Sequence, residues 1–336
     1  MQSLNVIFPE PDNVVVCAEE IGALGVDDVL LKTHCSLIST GTESIVLRRN
    51  FAPETHWDKW IRYPFYPGYS SVGTILQVGE NVRDYQVGQR VATRAEHRQF
   101  ALVPQNFVYP VPDAVSDESA AWIAFGTIVQ HGVRRPKIAL GESVVVIGLG
   151  ILGQIAVQLA RVCGAGEVIA IDTSPRRLEM AQAHGATHVL PIGVEEAAAR
   201  VLEITGGHGA EVVFDVTGHA PVFAHALGLL RRFGRLVVLG DTGNPGAQFL
   251  TSDVIGKDLQ IMGAHDTNPP GESDDFHRWS RREMIALFFK LIERGQMRVD
   301  DLITHTYSPM DAPQAYEMLQ TERASAMGVL LDFRQL

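Results

Sequence analysis

The chain has 336 residues, about two domains at roughly 150 residues each. Apolar residues make up 46%, enough for a sizeable core, and 28 basic against 39 acidic side chains leave a formal charge of −11, which argues against binding a phosphate backbone. Three cysteines (Cys17, Cys35, Cys163) make neither a disulfide framework nor a Cys-x-x-Cys zinc pair. No signal-like opening and no uncharged apolar run of about 18 residues is present, so the expectation is a cytoplasmic protein without a membrane span.

The first 125 residues read as short strands broken by Gly and Pro. Runs at 14–16, 29–32, 71–78, 90–93 and 100–103 are β-branched or aliphatic, and Pro67-Gly68, Gly73, Gly79, Gly88, Pro104 and Pro110 punctuate them. That pattern predicts a small twisted β domain. Between Phe51 and Pro67 the aromatic residues Phe51, Trp57, Trp60, Tyr63, Phe65 and Tyr66 gather, together with His56 and Arg62. Such a stretch either packs on the core as a loop or short helix, or walls a substrate pocket.

The rhythm changes near Ser143. Residues 143–148 (SVVVIG) predict a buried strand and 151–163 a helix. Strands follow at 168–172, 188–192, 212–216, 235–239 and 259–263. Helices lie between them at 175–184, opened by Ser174 as N-cap and Pro175, at 194–204 and at 221–230. Strands alternating with helices of about ten residues are the sequence form of a parallel, doubly wound sheet, and unbroken Val/Ile/Leu runs fit strands covered on both faces. Beyond this, 268–279 reads as a polar loop, 282–294 and 311–320 as helices, and 327–333 as a closing strand. The expected division is a β-rich domain at 1–125, a nucleotide domain at 126–265, and a segment at 266–336 that returns to the first domain.

Gly148-Leu149-Gly150-Ile151-Leu152-Gly153 is a G-x-G-x-x-G placed between a predicted strand and a predicted helix, the context that makes the motif informative. Gly148 permits the tight turn, Gly150 lets backbone approach a pyrophosphate, and Gly153 allows close helix–strand packing. The helix N-terminus offers free N–H groups to phosphates. Asp172 ends the next strand, about 20 residues on, where a carboxylate accepts bonds from ribose hydroxyls and repels a 2′-phosphate; NAD is therefore the expected cofactor. Arg176 and Arg177 would soften that preference. Thr173, Arg177, Thr217, Gly240 and Thr127 complete the expected cofactor contacts, with plain turn roles as the alternative for Thr217 and Gly240.

At this point the chain resembles the medium-chain dehydrogenase/reductase superfamily, the relatives of zinc alcohol dehydrogenases. The resemblance rests on Gly68 with 71–79 (SVGTILQVG), on 88–91 (GQRV), 141–153 (GESVVVIGLGILG), 160–172 (ARVCGAGEVIAID) and 234–240 (GRLVVLG). It implies an α/β fold with a Rossmann doubly wound parallel sheet and a β-rich GroES-like catalytic domain. Residues 36–43 (SLISTGTE) are similar to a subgroup that includes bacteriochlorophyllide a dehydrogenase. The family's metal positions depart from the pattern. Ser39, Tyr69 and Ala124 stand where zinc members carry ligands, and 90–103 has no cysteine for a structural-zinc lobe. The expectation is a zinc-free member with no metal.

Without zinc, hydrogen-bond donors or a general acid/base must manage the proton that accompanies hydride transfer. The resemblance implies Tyr69 as donor, or else as a wall residue. Thr40 and Thr42 are implied as relay hydroxyls, and Glu43 as a base or as the residue holding its loop. His56 is the favoured histidine, with His97, His131 and His265 behind it. The leading expectation is an NAD-dependent oxidoreductase acting on a secondary alcohol or ketone. The polar residues Ser39, Thr42, Glu43, Tyr69 and Ser70 suit a sugar or cyclitol. The alternatives are a quinone or enone reductase, for which the aromatic stretch suits a flat substrate, and a non-catalytic NAD(H)-binding sensor or scaffold. A small-molecule substrate and a homodimer are expected; nucleic acid and membrane are not.

Overall fold

The computed structural model describes residues 1–265, 268–274 and 278–336, so part of the loop expected at 268–279 lies outside the described residues. The chain divides into two compact units. The first comprises Met1–Asn50, Asp58–Ala124 and Ile285–Leu336; the second comprises Phe51–Trp57 and Phe125–Met284. The expected boundaries differ from these units, because 51–57, 268–274 and 278–284 group with the second unit. The reason lies in backbone and side-chain bonds. Ala52 N donates to Gly243 O at 2.7 Å, and Gln130 Nε2 donates to Met284 O at 2.7 Å.

The first unit is built on a seven-stranded sheet. Its path runs Ile303–Tyr307, Gly328–Asp332, Asp28–Leu37, Ser71–Val78, Arg90–Thr93 and Val108–Pro110, and Phe100–Pro104 also pairs with Asp28–Leu37. Pairing is antiparallel except between Ile303–Tyr307 and Gly328–Asp332. Val29, Leu31, Ile75, Val91, Ala101, Val103 and Val108 form one core under it. Burying each Val, Leu or Ile side chain of this core contributes about 1.5–3 kcal/mol. Gly73 is required by packing, since a Cβ there would meet Lys32 O at 2.3 Å.

Strand Gln2–Ile7, which sequence reading missed, pairs with Val15–Glu20. Its polar residues hid it. Ser3 and Asn5 are both buried, with Ser3 Oγ donating to Asn5 Oδ1 at 2.8 Å and Asn5 Nδ2 to Glu19 Oε2 at 2.5 Å. Ile303–Tyr307 was missed for a related reason: its residues are mostly half-buried, so no face stands out.

The second unit carries a six-stranded parallel sheet in the order His188–Leu190, Glu167–Ile171, Ser143–Ile147, Ala210–Asp215, Leu230–Val238, Gln260–Gly263. Numbered along the chain this is 3-2-1-4-5-6, the Rossmann order. Val145, Ile147, Ile169, Ile171, Val213 and Leu236 pack with Phe223 and Leu227 of the helix Val222–Gly228. The helix expected at 194–204 is instead a 3₁₀ turn, Val194–Glu196, followed by Ala198–Ile204. Ser174 is the N-cap of Pro175–Ala183, but its side chain makes no capping bond. Among the described residues no helix is long and apolar enough to cross a membrane.

Candidate active site

In the second unit, strand Ser143–Ile147 turns at Gly148 (φ 87°) into the helix Ile151–Val162. A Cβ at Gly148 would lie 2.8 Å from Thr217 Cγ2, and one at Gly153 only 2.0 Å from Gly148 O. A Cβ at Gly150 would meet nothing within 4 Å, so the N-cap of this helix opens onto free space without a capping side chain. A helix N-terminus without a capping side chain, beside open space, fits the pyrophosphate of a dinucleotide. Ile151 and Gly153 are buried, and Leu152 is half-buried.

Asp172 is 9% exposed at its side chain and shapes this turn directly. Its Oδ2 accepts from Leu149 N at 2.7 Å, and its Oδ1 accepts from Ser174 N at 2.8 Å. Arg177 Nη1 stands 3.9 Å from Oδ2. Gln154, which sequence reading passed over, ties the turn to the next helix by donating to Leu149 O at 3.2 Å and Arg177 O at 2.8 Å. Thr173 is exposed, whereas Thr127 is buried in the helix Ile123–Arg134.

At the end of strand Ala210–Asp215, Asp215 Oδ1 accepts from Thr217 N at 3.0 Å and Thr217 Oγ1 at 2.7 Å. Burial pushes the Asp215 carboxyl above its usual value, against the pull of these bonds. Gly240 is held close to this turn: a Cβ there would sit 2.5 Å from Gly218 N. Gly148, Thr217 and Gly240 therefore meet at the carboxyl ends of neighbouring strands, where doubly wound sheets bind ligands.

In the first unit, residues 39–43 enter the short helix Thr42–Leu47 and place a buried carboxylate. Glu43 is 2% exposed. Its Oε1 accepts from Ser39 N at 2.9 Å, and its Oε2 accepts from Tyr316 Oη at 2.5 Å and lies 3.2 Å from His97 Nε2. His97 is itself fully buried, with Nδ1 2.7 Å from Ser36 Oγ. Through its bond from Ser39 N, the Glu43 carboxylate ties the two ends of the 39–43 stretch together. It also places His97 behind Glu43. Tyr316, from the far end of the chain, carried no sequence signal.

Ser39 Oγ and Tyr69 Oη lie 2.5 Å apart, and the Arg94 guanidinium stands 5.3 Å from the centre of the Tyr69 ring. Burial pushes the Tyr69 hydroxyl up to about 12, despite the opposing bonds to Ser39 and Thr42. At neutral pH it is a protonated phenol, a hydrogen-bond donor. Thr42, Glu43 and Tyr69 line a cavity of about 340 Å³ with Trp60, Phe65, Tyr66 and Glu96. Thr40 is half-buried, and its carbonyl accepts from Ser44 Oγ at 2.7 Å. The aromatic segment is thereby divided: Trp60, Phe65 and Tyr66 wall this cavity, while His56 and Trp57 belong to the second unit.

A catalytic zinc takes about three nitrogen, sulfur or carboxylate ligands. Ser39 and Tyr69 bond to each other, and Ala124 is fully buried without a donor atom. Ser70 Oγ donates to Ala121 O at 2.6 Å and accepts from Ala124 N at 3.2 Å. These side chains do not fit a zinc ion. In the second unit His56 Nε2 lies 2.8 Å from Asp241 Oδ2, and the rings of His56 and His265 are 6.2 Å apart. His131 sits half-buried on the helix Ile123–Arg134.

The family model described as "Alcohol dehydrogenase GroES-like domain" matches residues 25–113, and that described as "Zinc-binding dehydrogenase" matches 152–282. Sorbitol dehydrogenase of Bacillus subtilis (strain 168) is 31% identical over 211 residues, 54% of this chain and 60% of its own length, so the chain spans less than two thirds of that relative. D-guloside 3-dehydrogenase of Escherichia coli (strain K12) is 29% identical over 274 residues, 79% of this chain and 77% of that protein. A solved oxidoreductase/dehydrogenase of unknown specificity from Escherichia coli matches with a TM-score of 0.85 at 22% identity, covering 99% of each chain, a likeness of fold.

Proposed function

Because the chain belongs to the medium-chain dehydrogenase/reductase superfamily, an oxidoreductase family, we propose that it moves a hydride between NAD(H) and a secondary alcohol or ketone of the sugar or cyclitol class, without zinc at the Ser39–Tyr69 position. The observation that carries the cofactor reading is Asp172, a nearly buried carboxylate bonded to Leu149 N of the glycine turn at 2.7 Å. A fixed negative charge there favours ribose hydroxyls over a 2′-phosphate. The dinucleotide, when bound, supplies or accepts the hydride.

The chain's own residues do the rest. The N–H groups beyond Gly150 hold the pyrophosphate. Thr217 and Gly240 bound the cofactor face at the strand ends; Ile151, Leu152, Thr173, Arg177 and Thr127 support it. Tyr69 Oη, kept protonated, donates to the substrate oxygen as negative charge develops there during carbonyl reduction, and takes the proton back in the reverse direction. Ser39 and Thr42 hold that hydroxyl in place, with the Thr40 hydroxyl as the further relay. Glu43 is a positioning residue acting through Ser39. His56 pairs with Asp241 and has no proton step in this reading. The carboxylate of Glu96 and the rings of Trp60 and Tyr66 suit a neutral polyhydroxylated substrate, in keeping with the similarity to sorbitol dehydrogenase and D-guloside 3-dehydrogenase.

The aromatic walls also favour one second reading, reduction of a flat quinone or enone. A panel of polyols, sugars and quinones followed by NADH absorbance tests both, using protein stripped with a chelator. Turnover of a polyol or sugar with NAD supports the proposal. Quinone reduction alone favours the second reading, and tight NADH binding without turnover marks a sensor or scaffold. Activity lost on chelation and restored by zinc would refute the metal-free step.

A further inference from the structure

Three side chains far apart in sequence converge on the second unit. His56 opens the short helix His56–Trp60, Asp241 follows Gly240 beyond strand Leu230–Val238, and His265 follows strand Gln260–Gly263. One ligand atom from each lies within 4.8 Å of the other two, the single such His/Cys/Asp/Glu trio among the described residues. The trio is exposed, so hydrated ions reach it and waters can fill further coordination positions. We propose that His56, Asp241 and His265 bind a divalent transition-metal ion of the zinc or nickel class.

The donor set selects this class. Two imidazole nitrogens and one carboxylate oxygen suit zinc, cobalt, nickel or copper, whereas magnesium and calcium prefer oxygen ligands alone. The site is also partly assembled before an ion arrives. His56 Nε2 already stands 2.8 Å from Asp241 Oδ2, and the bond from Ala52 N to Gly243 O ties their two segments together. The ring beside His56 is Trp57, 4% exposed, with centroids 5.1 Å apart, so the residue after His56 is anchored in the core. Ligands fixed in advance lose little conformational freedom on binding. A histidine–aspartate hydrogen bond needs no third member. His265 is what turns the pair into a three-ligand set, the number common in open zinc sites. The site does not depend on the hydride-transfer reading.

Equilibrium dialysis of the full chain against zinc or nickel chloride, with metal counted per chain, tests this. About one ion per chain is expected. Loss of an outer-shell partner alone typically weakens a metal site about 10- to 100-fold. His56→Ala and His265→Ala should therefore each weaken binding at least about tenfold, and Asp241→Asn should weaken it too. A Cys17→Ser, Cys163→Ser variant should bind as the parent does. With cobalt, visible absorption bands should appear in the parent and vanish in His265→Ala. Absence of stoichiometric binding, or binding that survives both histidine substitutions, would overturn the proposal.

Discussion

Replacing Asp172 by alanine should damage both the glycine turn and the cofactor preference. In the native turn Leu149 N donates to Oδ2 at 2.7 Å and Ser174 N to Oδ1 at 2.8 Å. Leu149 is fully buried, so its N–H loses a charged acceptor with no water to replace it. An orphaned buried donor costs about 1–3 kcal/mol. The carboxylate's bond to a ribose hydroxyl is worth about 1.5–3 kcal/mol, and each 1.4 kcal/mol or so is tenfold in affinity. NADH affinity should therefore fall about ten- to a hundredfold. NADPH affinity should fall less or rise, because the charge that repels its 2′-phosphate is gone and Arg177 remains. Fluorescence titration with both nucleotides reads the ratio, and thermal unfolding reads the loss of the turn. Unchanged affinities for NADH and NADPH would refute the assignment of Asp172.

Tyr69→Phe keeps the ring beside Arg94 but removes the hydroxyl; kcat should fall about a hundredfold or more with little change in KM, and an unchanged kcat would move the proton step elsewhere. Gly153→Ala places a Cβ 2.0 Å from Gly148 O, so helix and strand must separate; a loss of about 1–3 kcal/mol or more and weaker NADH binding should appear in unfolding and titration experiments. Asp117 reports on acid stability. Burial pushes its carboxyl up, but His34 at 2.8 Å and Arg90 at 3.1 Å outweigh that and hold it below 3.8. Its contribution is present above the unfolded value and is lost as pH falls through the lower folded one. Asp117→Asn should lower the melting temperature at pH 6, and the gap to the parent should narrow as the pH falls below 3.8; parallel curves would contradict this.

The strand, glycine turn and acid of the second unit follow from local rules, and their placement was readable for that reason. A strand, three spaced glycines and an acid at the end of the next strand are short-range features, and all fall where their spacing put them. Side chains that gain meaning only through tertiary contact were not readable. Glu43 gains a buried hydroxyl partner only because Tyr316, more than two hundred residues away, donates to it. His56 pairs with Asp241 because 51–57 leaves its sequence neighbours for the other unit, and no periodicity in an aromatic-rich loop announces that. The strand Gln2–Ile7 was lost to an apolar-pattern reading because its buried positions are partly polar and satisfied by one another.

The path of the chain sets an order of events during synthesis. All six strands of the parallel sheet lie between Ser143 and Gly263, so that sheet can close while later residues are still being made. The other sheet needs Gly328–Asp332, which sits between Ile303–Tyr307 and Asp28–Leu37. At about 5–20 residues per second, some 4–14 seconds separate the two on the ribosome. During that interval an early strand waits with an unpaired edge, and the nascent chain offers chaperones a window in which one half is finished and the other is not.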